Sequence, residues 1–62
     1  MREADSWIVY WQGMAYVQIA PELGIERLRC AFAMMKREDN AQGVLMCVTA
    51  LLNAAFLGYF AV

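Results

Sequence analysis

Glu22 and Glu26, the adjacent Glu38 and Asp39, and the thiols of Cys30 and Cys47 are the side chains of this sequence best equipped for chemistry. Paired carboxylates serve general acid–base catalysis, and a thiol serves as a nucleophile or a soft metal ligand. Either use needs a neighbour that tunes the group. There is no histidine, which removes the commonest ligand for zinc or haem iron, the usual general base, and the Ser-His and Cys-His dyads. The cysteines fall in different segments, in neither a C-x-x-C pair nor a Cys/His cluster. Free cysteine is among the most buried residue types, so both read as small hydrophobes. The carboxylates read as helix-dipole partners or solvated residues. The expectation is therefore a chain with no catalytic residue, no metal, no cofactor and no small-molecule substrate.

Composition narrows the class further. A chain of 62 residues makes at most one small domain, and a core of that size gains little stability without a staple, a metal or a partner. The sequence is 63% hydrophobic and 18% charged, against roughly 45–50% and about 25% in ordinary soluble domains. More apolar surface is present than one small core hides, and the excess points to a membrane, an oligomer or a larger assembly. Five basic against six acidic residues give a net charge of −1, which argues against the electrostatic attraction that nucleic-acid binding uses. Arg2 followed by Glu3 and Asp5 is a poor start for a secretory signal.

Two punctuation points, Pro21 and the polar stretch that begins at Lys36, divide the chain. Residues 1–6 form a tail. From Trp7 to Ala20 the sequence is apolar on every side. Asp5 and Ser6 suit a helix cap there, whereas Trp-Ile-Val-Tyr is a composition that equally suits a strand, so both forms stay open. As a helix this segment spans about 21 Å, short of the roughly 30 Å hydrocarbon core of a bilayer. Trp7, Tyr10, Trp11 and Tyr16 suit a membrane interface and a protein contact about equally. Residues 21–38 carry the clearest helix signals: Pro21 for the first helical position, Glu22 at the positive end of the dipole, and Lys36 and Arg37 at the negative end. Ile25, Leu28, Ala31, Phe32 and Met35 share one face of this amphipathic helix.

After a polar linker, residues 39–42, the chain carries no further charge. Asn40 is a natural N-cap, and Gly43 to Val62 would extend about 30 Å as a helix, the thickness of a bilayer core. Each Leu, Phe or Val in such a span contributes roughly −0.3 to −0.6 kcal/mol to insertion, whereas one central Asp, Lys or Arg costs about 2.5 to 3.5 kcal/mol. On that balance residues 43–62 read as a transmembrane helix. Plotted at helical spacing, Gly43, Cys47, Ala50, Ala54, Gly58 and Ala61 form a stripe of small side chains, and Leu45, Val48, Leu52, Phe56 and Tyr59 form the bulky side. The small-xxx-small spacing permits close approach to a partner helix, with Asn53 beside the stripe to hydrogen-bond across. The competing reading docks the bulky face instead.

These readings combine into an all-α fold: an aromatic-rich apolar segment, an amphipathic helix, and a single C-terminal transmembrane helix. Basic residues precede the span and none follows, so the positive-inside rule places the N-terminal segments on the cytoplasmic side and the C-terminus across the membrane. The function expected is that of a non-catalytic, single-span accessory subunit that stabilises a bioenergetic, photosynthetic or virion-membrane assembly. Its partners would be other membrane-protein subunits and lipid. Two other readings stand beside it: a small self-associating membrane peptide, holin-like or a toxin, that forms homo-oligomers, and a soluble all-α subunit of an oligomer or capsid.

Overall fold

Asp5 begins the first helix. Its backbone is extended and its carboxylate accepts the Trp7 amide at 2.8 Å, which satisfies one of the donors that a helix start leaves open. The computed structural model describes the backbone of residues 5–60 and the side chains of residues 5–56. The described residues form three helices: α1 (Ser6–Ile19), α2 (Pro21–Arg37) and α3 (Ala41–Phe60). The segment with strand-like composition is thus helical. It buries Ser6, Val9, Tyr10 and Gly13, a spacing that only a helix brings onto one face, and packing on α2 overrides the weak β preference of Trp-Ile-Val-Tyr.

Ala20 alone joins α1 to α2. A residue before proline is pushed out of helical geometry, and proline itself is preorganised for a first helical position. Ala20 accordingly adopts φ −145° and ψ 79°, and its amide closes α1 on the Tyr16 carbonyl at 2.6 Å. The chain reverses here, and α1 lies along α2. At the far end of this hairpin the buried Ser6 hydroxyl donates to Glu38 Oε1 at 2.9 Å, tying the start of α1 to the end of α2.

The second reversal is equally tight. The Asp39 amide bonds the Lys36 carbonyl at 3.1 Å and the Asn40 amide bonds the Met35 carbonyl at 2.9 Å, the pair of bonds that defines a Schellman helix end. This geometry requires a left-handed residue between them. Asp39 fills that place at φ 59°, where glycine carries no Cβ penalty. Asn40 then caps α3, its Oδ1 accepting the Gly43 amide at 3.0 Å. Replacing Asp39 with glycine is expected to stabilise the fold by about 0.5 to 1 kcal/mol, a rise of several degrees in Tm. Thermal melts of the two proteins at one concentration check it; an unchanged or lowered Tm would show that the left-handed turn is not strained.

α2 is the central element. It packs on α1 along one side and α3 along the other, while α1 and α3 touch little. The bundle is consequently flattened, 39 × 24 × 12 Å. The core consists of Val9 and Tyr10 from α1, Leu28, Ala31 and Met35 from α2, and Cys47, Ala50 and Ala54 from α3.

The expected transmembrane helix is overturned: among the described residues no helix is long and apolar enough to cross a membrane. The single-pass topology, the cytoplasmic N-terminal side and the membrane localisation fall with it. A physical reason for the misreading lies in the bundle itself. One face of α3 is charge-free because it is buried on α2, and the opposite face is apolar although exposed. For the buried face, the lack of charge therefore has a source other than lipid.

Candidate helix-packing site

The small residues of α3 bring it close to the rest of the chain. Gly43, Cys47, Ala50 and Ala54 are all buried, at alternating spacings of four and three that keep them on one face. A Cβ on Gly43 would run into Met35 Sδ and lie 2.8 Å from Asn40 Nδ2, so a side chain there would displace the Met35 thioether and disturb the Asn40 cap. One turn on, the Cys47 thiol donates to Met35 Sδ at 3.6 Å. Burial raises the Cys47 pKa above its ordinary value, because the thiolate is disfavoured away from water. The thiol stays protonated at neutral pH and acts as a packing group. Cys30, by contrast, is exposed.

Gly43, Cys47, Ala50, Asn53, Ala54 and Gly58 are the residues expected from the sequence at a partner contact. The first three and Ala54 instead meet the chain's own core. Asn53 is exposed and lines a cleft of about 320 Å³ between α1 and α3, with Met14, Val17 and Gln18 opposite. Gly58 and Tyr59 lie outside the described side chains. Thr49 returns its hydroxyl to the Leu45 carbonyl at 3.0 Å.

The four aromatics of α1 are divided by depth. Tyr10 is buried, with Trp7 edge-on at 5.8 Å and Trp11 edge-on at 5.1 Å between ring centroids, the T-shaped arrangement that aromatic quadrupoles favour. Trp7 and Tyr16 are half-buried, and Trp11 remains 60% exposed. On α2 the buried line is Gly24, Leu28, Ala31 and Met35. Ile25 and Phe32, expected on the same face, sit half-buried at its margin.

What stays outside is a bulky ridge. Leu45 is 66% and Leu52 67% exposed, with Val48 between them and Phe56 beyond. Beside the ridge run two shallow apolar grooves that share Val48. One, of about 430 Å³, is formed with Arg29, Phe32 and Leu51; the other, of about 450 Å³, reaches Lys36 and Asp39. The carboxylates Glu22, Glu26, Glu38 and Asp39 are all exposed. Among the described residues no three His, Cys, Asp or Glu side chains gather into a metal-binding group.

Two contacts escaped the sequence reading. A Cβ on Gly13 would lie 2.8 Å from Leu28 Cγ, and one on Gly24 would lie 2.5 Å from the Val17 amide nitrogen. Glycine inside a helix costs about 1 kcal/mol relative to alanine, so each interior glycine signals a close contact. That signal was present in the sequence, but it does not say which helix approaches.

Comparison of the chain with protein-family models, curated proteins and solved structures finds no match.

Proposed function

We propose that the chain is a non-catalytic structural subunit, a helical packing element that stabilises a larger protein assembly through its outward apolar surface. The observation that carries this reading is the division of α3, whose small side chains fill the core while Leu45 and Leu52 stay about two-thirds exposed. A domain that needed only itself would bury its large apolar groups and expose small or polar ones, because burial of a leucine is worth about 1.5 to 3 kcal/mol. Contiguous apolar surface of this kind marks an interaction site. Trp11 and Ile8 on α1, both more than half exposed, are further large apolar groups left outside the core.

The test is the size of the species that holds the chain in gently prepared extracts of cells making it at native levels. The expected result is a particle well above the 7.0 kDa chain mass, from which Leu45→Glu releases the chain while the helical circular dichroism of the purified variant is kept. A chain that migrates as a 7.0 kDa monomer in those extracts would overturn the reading.

A further inference from the structure

From the turn between α2 and α3 we infer that this chain opens there into one continuous helix, residues 21–60, and exchanges α3 with a second copy. The inference goes beyond the subunit reading and makes no use of the outward ridge. Its ground is a turn held closed through a strained residue. Asp39 stands in the left-handed region at φ 59°, a conformation that a residue carrying a Cβ resists. Little else has to move for the turn to straighten. Glu38 already has right-handed helical geometry, φ −78° and ψ −4°, and α3 begins at Ala41, which leaves Asp39 and Asn40 to change. From Ile25 to Gln42 the sequence has neither glycine nor proline, the residues that ordinarily stop a helix. The other reversal does not open in this way. Pro21 has no amide hydrogen and holds Ala20 out of helical geometry, so α1 stays folded on α2 of its own chain.

Opening at Asp39 conserves the core. The contacts between α2 and α3, Met35 with Cys47 among them, are remade between α2 of one copy and α3 of the other, the exchange of an identical element that links two protomers at low cost. The bonds of the turn, donated by the Asp39, Asn40 and Gly43 amides, give way to the backbone ladder of the longer helix. What separates the two forms is then the strain at Asp39, relieved in each copy, against the freedom lost on association. The balance turns on concentration and on residue 39.

The experiment refolds the purified full-length chain from denaturant over a range of concentrations and measures the fraction of dimer by sedimentation. The expected result at high concentration is a species of twice the 7.0 kDa chain mass. Asp39→Gly should raise its dissociation constant about 30-fold, because glycine eases the left-handed turn and weakens a helix interior, once in each copy. Asp39→Ala should lower it by about the same factor, since alanine is poor in the left-handed region and best within a helix. A disulfide shows which α3 meets which α2. With Cys30→Ser removing the exposed thiol, Met35→Cys places a second thiol beside Cys47, whose Sγ lies 3.6 Å from Met35 Sδ. On oxidation the exchanged form gives a covalent dimer, and the closed form gives an internal bond. A monomer at every concentration even with Asp39→Ala, a dimer indifferent to residue 39, or a dimer whose disulfide stays internal would each overturn the exchange. If the disulfide does not form, the opposite shifts of the two Asp39 variants decide alone. Failure of the exchange leaves the subunit reading standing, because that reading is tested by the particle recovered from cells.

Discussion

Alanine at position 24 is expected to remove about 2 to 3 kcal/mol of stability, most of what a core of this size supplies. The substitution adds one methyl group and improves helix propensity by about 1 kcal/mol, so propensity alone predicts a gain. The geometry reverses the sign. The new Cβ would stand 2.5 Å from the Val17 nitrogen, 2.8 Å from its Cα, and closer still to its Cγ2. Two of those atoms are backbone, and no rotamer change moves them aside. α1 would have to lift from α2, loosening Val17 and the neighbouring contact between Gly13 and Leu28. Urea titration followed by circular dichroism reads the effect as a lowered midpoint. A midpoint at or above that of the parent chain would mean that the two helices do not approach so closely.

The second large effect concerns Leu28, which has no exposed surface and lies where a Cβ on Gly13 would come within 2.8 Å of its Cγ and 3.0 Å of its Cδ2. Leu28→Ala opens a cavity between α1 and α2 and should cost about 2 to 5 kcal/mol. Gly13→Ala overfills the same space and should cost about 1 to 3 kcal/mol. Together they should cost less than their sum by about 1 kcal/mol or more, because the added methyl group occupies part of the space that the leucine vacates. The comparison needs four proteins at one concentration, since self-association would make stability depend on concentration. Additive losses would show that the two positions do not share a site.

Helical class was readable in the sequence because the signals that start and stop helices are local. Pro21, Glu22 and the Lys36–Arg37 pair can be assigned without knowing what the helix touches, and they stand in the first and last turns of α2. The stripe of small residues on α3 was readable for the same reason, since periodicity is a property of one helix. The medium around α3 was not. A face that is charge-free because it packs on α2 and a face that is charge-free because it meets lipid are written with the same residues, so the run after Asp39 was read as a span. Close approaches across helices were also hidden. Gly13 and Gly24 are separated along the chain from Leu28 and Val17, and only the reversal at Ala20 brings them together. Asp39 in the left-handed region was masked by its own polarity, which fitted a linker as well as a helix end.

The two short reversals shape how the chain reaches this arrangement. Because Ala20 and the turn at Asp39 place each helix directly beside its neighbour in sequence, and α1 and α3 touch little, few native contacts wait for distant parts of the chain to meet. Little loop-closure entropy opposes the search. Such a topology belongs to the microsecond-to-millisecond folders, and a new copy would present its leucine ridge soon after synthesis.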